Sequence, residues 1–305
     1  MDEEYKFNNS ELENIWYIFV ALSDITFSKP EVSLGKQGRY ALSCEIMMSA
    51  MNTITSIDFC MNRSAYADVY TLVRKLRDDL MQYLFILNVI KNMKKTPNID
   101  NDVGVEDLFS DVDKLWTIIN RDIQFLISGA GKSVAELAME SWMYNELEKN
   151  KNAEYRKKYY DTSKYKNYLI SQNEEIKKIV EDYLNLLWKD IDRKLNNYVH
   201  GNGIKYITNN YVYQVKKENQ DIELVEVVQK ILTFFLSILA LVDSTKMQSS
   251  DYMDALDMGE KPEDNSQYWV CPCIVDYMNH FIDRKWLEYI QEHEKYGMKI
   301  LNDFY

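Results

Sequence analysis

An arginine and a histidine, Arg193 and His200, stand seven residues apart in a segment that has the composition of a helix. Seven residues span almost two helical turns, so the two side chains lie on the same face of that helix. Asn196 and Asn197 lie between them. A guanidinium group can bind a phosphate while an imidazole beside it accepts or donates a proton. The spacing therefore indicates a candidate catalytic site for a phosphate-containing substrate.

The apolar residues of the same helix predict which way this site faces. Arg193, Asn197 and His200 fall roughly opposite an apolar stripe at helical spacing, which consists of Leu184, Trp188, Ile191, Leu195 and Tyr198. The polar residues are therefore not expected in the core. Two interpretations stay open: the polar face is solvated, or it lines a cleft against another helix or subunit.

This segment resembles the motif of a known family. Arg193 and His200, followed by Gly-Asn at 201–202, resemble the Arg-x4–6-His motif of HEPN-domain proteins, and Asn-Tyr-Val-His-Gly-Asn is a form associated with bacterial members. Lys194 departs from the family pattern, because many members carry a polar residue, often Asn, directly after the arginine. Gly201 fits the left-handed position that ends many helices.

An earlier helix adds to the resemblance. The segment from Tyr66 to Leu87 is similar to the first core helix of HEPN proteins, with Arg74 and Asp78 spaced as an Arg-x3-acid pair that supports the site. The resemblance covers about residues 40–90 and 173–245. It implies an all-α helical bundle with an HEPN-like core and additional helices.

The resemblance also implies a function. Active HEPN proteins are metal-independent endoribonucleases of bacterial toxin–antitoxin and anti-phage defence systems, often homodimers whose two motifs face each other. On this chain His200 becomes the acid–base residue for attack by the RNA 2′-hydroxyl, Arg193 holds the scissile phosphate, and Asn196 or Asn197 orients either group. No metal or cofactor is expected. Some members bind RNA, nucleotides or protein partners without catalysis, so a non-catalytic module stays as the alternative.

A basic, tyrosine-rich tract over residues 149–168 is the second candidate site. Lysines neutralise phosphates and tyrosine rings stack on unpaired bases, which makes this tract a candidate RNA-binding strip in an acidic protein. The RNA-binding candidates are Arg156, Lys157, Lys158, Tyr159, Lys164 and Lys166. A solvated helix face is the other interpretation of such a charge run.

The composition predicts an all-α chain, because four prolines and nine glycines in 305 residues are too few for a turn-rich β protein. Residues 1–245 are predicted to form one HEPN-like domain with inserted helices over 98–172, and residues 246–305 an acidic loop and a terminal helix packed on it. The predicted helices are Ser10 to Ser23 with Ser10 as N-cap, 39–62, 64–93, 112–127, 133–149, 173–200, 222–243 and 273–301. Loops are predicted around 30–38 and over 249–267.

The net charge of −12 argues against a general nucleic-acid coat protein but leaves room for a local basic cleft. It also leaves open an acidic, antitoxin-like partner of a basic protein. Four cysteines in a chain of this length indicate no disulfide framework. The chain opens with no signal-peptide pattern, and its longest apolar run, over 231–242, is shorter than a membrane span. These features predict a cytoplasmic protein without membrane partners.

Overall fold

The computed structural model describes residues 5–24, 31–35, 38–42, 44–92, 133–143, 158–159, 161–200 and 214–301. The chain forms two compact units. Unit 1 consists of Met1–Pro30, Ser43–Phe85 and Asp161–Tyr305, and unit 2 of Glu31–Leu42 and Ile86–Tyr160. The described elements are predominantly helical, which confirms the all-α class.

Unit 1 is a bundle of α-helices joined by short 3-10 turns. Its helices are α1 (Ser10–Ser23), α2 (Glu45–Asn62), α3 (Tyr66–Asn92, as far as Phe85), α5 (Thr162–Gln172), α6 (Glu174–Ile179), α7 (Asn185–Val199), α8 (Gln214–Asp243), α9 (Asp251–Asp257), α10 (Pro272–Phe281) and α11 (Arg284–His293). α1 packs on α2, and α8 contacts α1, α6, α7, α10 and α11. α8 is thus the helix around which the unit is assembled.

α8 is central because it is apolar on all sides. Every residue of the stretch 231–244 is buried, as expected of a helix without a polar face. Polar side chains within it form hydrogen bonds: Ser237 Oγ donates to the Thr233 carbonyl over 2.8 Å, and Thr233 Oγ1 lies 3.2 Å from Tyr277 Oη. By length and composition the segment Lys217–Met247 is able to cross a membrane, but 83% of its most apolar window is buried inside the protein. This burial favours the predicted core helix.

A buried carboxylate, Asp58 of α2, fixes the start of α1. Asp58 Oδ2 accepts from Tyr5 Oη at 2.8 Å and from the backbone N–H of Asn8 at 3.0 Å, and Oδ1 accepts from the Asn9 N–H at 3.0 Å. Asn9 in turn caps α1, since its Oδ1 accepts from the N–H groups of Glu11 and Leu12. The predicted bounds of this helix are confirmed, but the N-cap is Asn9 rather than Ser10, which already has helical geometry.

A wide turn joins α6 to α7. Residues Val180–Leu184 form one π-helical turn, in which the Asn185 N–H reaches back five residues to the Val180 carbonyl. Tyr183, in this turn, stacks on Trp286 of α11 with 5.7 Å between ring centroids. The helix predicted over 173–200 is therefore continuous, but it carries one extra residue in this turn that the apolar spacing did not indicate.

Unit 2 contains a β-hairpin and a helix. β1 (Glu31–Gly35) pairs with β2 (Gly38–Leu42) in antiparallel register, with Glu31 opposite Leu42 and Gly35 opposite Gly38. The predictions of a loop around 30–38 and of a helix beginning near residue 39 were wrong, because α2 starts only at Glu45. Residues 32, 34, 40 and 42 are apolar at period two, which is the strand pattern.

α4 (Val134–Met143) is the described part of the helix predicted over 133–149. The helix predicted over 112–127 lies outside the described residues.

The C-terminal part of unit 1 differs from the sequence prediction in two places. The single helix predicted over 273–301 is two helices, because Ile282 and Asp283 adopt extended backbone angles between α10 and α11. The loop predicted over 249–267 contains the short helix α9, none of whose residues is buried. An aspartate before a new helical run, here Asp283, is the sequence signal for the break.

Candidate functional site

α7 carries the four candidate catalytic residues on one accessible face. Its opposite side is buried, and the buried residues are Trp188, Ile191, Leu195 and Tyr198. Arg193, Asn196 and His200 are exposed, and Asn197 is half-buried. His200 ends the helix, and its N–H donates to the Asn196 carbonyl over 3.1 Å. We call these four residues the Arg193–His200 face.

The guanidinium group of Arg193 is directed away from His200 within one chain. Its Nη2 donates to Asp190 Oδ1 over 2.8 Å, and Asp190 lies one turn nearer the start of the helix. Arg193 and His200 are themselves separated by about 10 Å along the helix axis, at 1.5 Å per residue. The Arg193 side chain is 70% exposed, so solvent and solutes reach its guanidinium group.

Asp190 is surrounded by cations from two helices. Lys230 of α8 donates to its Oδ2 over 2.7 Å, and Lys194 Nζ lies 3.7 Å from the same atom. Partial burial raises the pKa of Asp190, but the hydrogen bonds from Lys230 and Arg193 and the charge of Lys194 outweigh it and lower this pKa to about 2. The carboxylate is thus ionised, and three positive groups neutralise it.

Lys194, the residue that departs from the HEPN pattern, connects α7 to α8. Only 14% of its side chain is exposed, and Nζ lies 3.8 Å from Glu223 Oε1 as well as near Asp190. The residue after the arginine therefore points toward the bundle and not along the Arg193–His200 face.

A buried arginine that the sequence analysis did not select fixes α3 to α7. Arg77 is 4% exposed, and its Nη1 donates to Asp192 Oδ1 over 2.5 Å. Its Nε and Nη2 donate to Asp78 Oδ1 over 2.9 and 2.7 Å, and the guanidinium carbon lies 5.7 Å from the Trp188 ring centroid. Arg77 thus positions the helix that carries the Arg193–His200 face.

The predicted supporting pair, Arg74 and Asp78, makes a longer and more exposed contact than Arg77 makes with Asp192. Arg74 Nε lies 3.9 Å from Asp78 Oδ2, and the two side chains are 35% and 43% exposed. Arg77 was missed because the Arg74–Asp78 spacing matched the family pattern. Its sequence signal is its position: it follows Val73 by four residues and precedes Leu80 by three, in the middle of an apolar stripe.

The residues of the predicted RNA-binding strip do not share one environment. Arg156 and Lys157 lie outside the described residues. In unit 2, Lys158 Nζ lies 5.5 Å from the Tyr159 ring centroid. Lys164 and Lys166 belong to α5 of unit 1, where Lys166 Nζ lies 5.0 Å from the Trp188 ring centroid.

Two tyrosines of the same tract are core residues. Tyr165 and Tyr168 are buried, with their ring centroids 4.9 and 5.0 Å from that of Phe85. The expectation that these rings stack on bases was wrong, because they occupy the apolar face of α5. Burial also lowers the pKa of Lys166, although the charge of Asp192 acts in the opposite direction.

An open cleft of about 480 Å³ lies between α1 and α10. Its lining combines carboxylates with aromatic rings and includes Glu11, Tyr17, Asp276, His280 and Phe281. Cys273, at the first turn of α10, is also in this lining, and its sulfur lies 3.4 Å from that of Cys271. The sequence indicated no disulfide framework for the cysteines and contained no signal that predicted the cleft. Within the described part of the chain, no group of three or more His, Cys, Asp or Glu side chains is arranged to hold a metal ion.

Comparison with known proteins gives no match to any family model, curated protein or solved structure.

Proposed function

We propose that this protein is a metal-independent, HEPN-type endoribonuclease that acts in the bacterial cytoplasm as a toxin or an anti-phage effector. The observation that carries the proposal is the Arg193–His200 face, on which a guanidinium, an imidazole and two amides share an accessible side of one helix. The exposure of the Arg193 guanidinium supports it, because a guanidinium binds phosphate oxygens through charge-assisted hydrogen bonds.

The active form that we propose is a homodimer. Arg193 is held toward the start of α7 and His200 stands at its end, so one chain does not bring both groups to one phosphate. A two-fold axis near the middle of the face places Arg193 of one protomer beside the His200 of its partner. The same operation forms two such Arg–His pairs, one at each end of the face.

The proposed reaction is transfer of the phosphate to the neighbouring 2′-oxygen. His200 removes the proton of the RNA 2′-hydroxyl, whose oxygen forms a bond to phosphorus while the bond to the 5′-oxygen breaks. The leaving 5′-oxygen takes up a proton from solvent. Arg193 stabilises the charge that develops on the phosphate oxygens. The products are a 2′,3′-cyclic phosphate and a 5′-hydroxyl.

The experiment that tests this proposal uses the full chain, a mixed-sequence RNA and EDTA. We expect cleavage that EDTA does not reduce, products that carry 2′,3′-cyclic phosphate ends, and no cleavage of DNA or of RNA methylated at every 2′-oxygen. Cleavage of the methylated RNA, or products with 5′-phosphate ends, would contradict the proposed chemistry. RNA left intact at all protein concentrations would overturn the nuclease proposal.

An exposed leucine gives a separate test of the dimer. Leu186 is 76% exposed and precedes Arg193 by seven residues, so it lies in line with the Arg193–His200 face. We expect Leu186→Glu to raise the dimer dissociation constant at least about tenfold by placing a charge in the interface, and cleavage to fall with dimer content. Sedimentation equilibrium measures the first effect.

The matched control for this variant is Met258→Glu, which changes a methionine that is 71% exposed after α9. It should leave the dissociation constant unchanged. A monomeric wild-type protein, or equal effects of the two substitutions, would contradict the proposed interface.

The alternative is a non-catalytic module that binds a basic protein partner. A second cavity, of about 550 Å³, favours it because its lining is acidic. Among the described residues, the lining contains one cation, Lys217, and four carboxylates, those of Glu11, Glu218, Asp221 and Glu226. Ile222, which is 54% exposed, supplies an apolar contact there. Absence of cleavage together with a saturable, salt-sensitive protein complex distinguishes this function from the nuclease.

A further inference from the structure

Two thiols stand in contact at the start of α10. Cys271 Sγ and Cys273 Sγ are 3.4 Å apart, with Pro272 between them. All four cysteines of the chain carry their sulfur as a thiol, and Cys271 and Cys273 are both partly accessible. A disulfide bond requires about 2 Å between sulfurs, so a small rotation of the two side chains is enough to join them.

The backbone holds this pair in place. The Cys271 N–H donates to the Met247 carbonyl over 2.8 Å, and the Cys271 carbonyl accepts from the N–H groups of Ile274 and Val275. Pro272 occupies the first position of α10, where its ring fixes φ. The two sulfurs are therefore kept near each other by the fold and do not have to meet by diffusion of a flexible loop.

The two sulfurs have different roles in such chemistry. The hydrogen bond to Cys271, followed by burial, raises the pKa of Cys273 well above its usual value. Cys271 is the N-cap residue of α10, where the partial positive charge of the helix end stabilises a thiolate. This position favours Cys271 as the sulfur that attacks and Cys273 as the sulfur that resolves.

We propose that Cys271 and Cys273 form a reversible redox site that exchanges with low-molecular-weight disulfides such as oxidised glutathione. The Cys271 thiolate attacks one glutathione sulfur, forming a mixed disulfide and releasing one glutathione thiolate. Cys273 then loses its proton and attacks the Cys271 sulfur, which releases the second glutathione. The two protein thiols are oxidised to a disulfide, and one glutathione disulfide is reduced to two thiols.

The site is linked to the surface of unit 1 through Cys273. Because Cys273 is in the lining of the α1–α10 cleft, forming the bond draws its side chain toward Cys271 and changes the wall of that cleft. The ring that the bond closes contains only three residues, and strained disulfides of this kind are easily reduced. Oxidation is therefore readily reversed by a thiol.

The test uses the full chain with Cys44→Ser and Cys60→Ser, so that only the pair remains. After treatment with oxidised glutathione, intact-mass spectrometry should show a protein lighter by two hydrogen atoms and without bound glutathione. Dithiothreitol should restore the original mass.

Single-cysteine variants of the same protein separate the two roles. With Cys273→Ser, the glutathione adduct on Cys271 should persist at least about 100-fold longer than with the pair intact, because the resolving thiol is missing. Cys271→Ser should react more slowly with glutathione. Circular dichroism checks that each variant is folded.

A stable adduct on the protein that retains both thiols would overturn the proposal, as would absence of any reaction. Neither measurement depends on RNA cleavage, so the redox site and the nuclease succeed or fail separately.

Discussion

Replacing His200 with alanine is expected to slow RNA cleavage by roughly 100- to 10,000-fold, the usual effect of removing a general acid or base. His200 is exposed at the end of α7, so its loss removes few packing contacts. The free energy of unfolding should therefore change by less than about 0.5 kcal/mol. Single-turnover cleavage of a defined RNA in EDTA measures the rate, and urea unfolding measures the stability.

The chain provides matched controls for this measurement. His280 is also an exposed histidine on a helix of unit 1. Arg284 pairs with Glu288 on its own helix over 3.0 Å, as Arg193 pairs with Asp190. His280→Ala and Arg284→Ala should cleave like the wild type, whereas Arg193→Ala should be slow. Equal cleavage by the His200→Ala and His280→Ala proteins would remove His200 from the mechanism.

Replacing Arg77 with methionine is expected to reduce the free energy of unfolding by about 3 kcal/mol, because it leaves the part-buried Asp192 carboxylate without the guanidinium that donates to it. Burial raises the pKa of Asp192 even with Arg77 beside it, which shows how much this carboxylate depends on its neighbours. Urea unfolding followed by circular dichroism measures the loss. Cleavage should fall as well, because α7 loses its attachment to α3.

Two further substitutions sharpen this test. Arg74→Ala removes a half-exposed arginine only three residues away, whose ion pair is long, and should cost less than about 0.5 kcal/mol. Adding Asp192→Asn to Arg77→Met should recover part of the stability, because the second change removes the unpaired charge. Equal losses from Arg77→Met and Arg74→Ala would show that burial of Arg77 does not decide its contribution.

Helical periodicity predicted the parts of the fold that bury one continuous apolar face. The bounds of α1 are those expected from the sequence, and α3 was recognised from apolar residues at spacings of three and four. α8 was recognised from its long apolar run instead. Short elements were harder to predict from the sequence. The hairpin around Gly35 and Gly38 contains few residues, and its alternation is too brief to outweigh the helical signal that follows it.

The sequence predicted which residues form the candidate site but not the side-chain contacts around them. Periodicity placed Arg193 and His200 on one side of a helix, since this depends only on residues in that helix. The contact of Arg193 with Asp190, and the contact of Asp190 with Lys230, depend on rotamers and on the packing of α8. Arg77 and Asp192 are 115 positions apart, so their pairing follows from the tertiary fold alone.

The π turn at Val180–Leu184 determines the directions in which the side chains of α7 point. One additional residue turns the downstream helix by about 100° relative to an uninterrupted α-helix. α6 and Tyr183 can therefore face the C-terminal helices, where Tyr183 meets Trp286, while Trp188 and Leu195 face the core of the bundle. The direction in which Arg193 and His200 point is thus determined roughly two and a half to four and a half turns before them, by five residues that take no part in the proposed reaction.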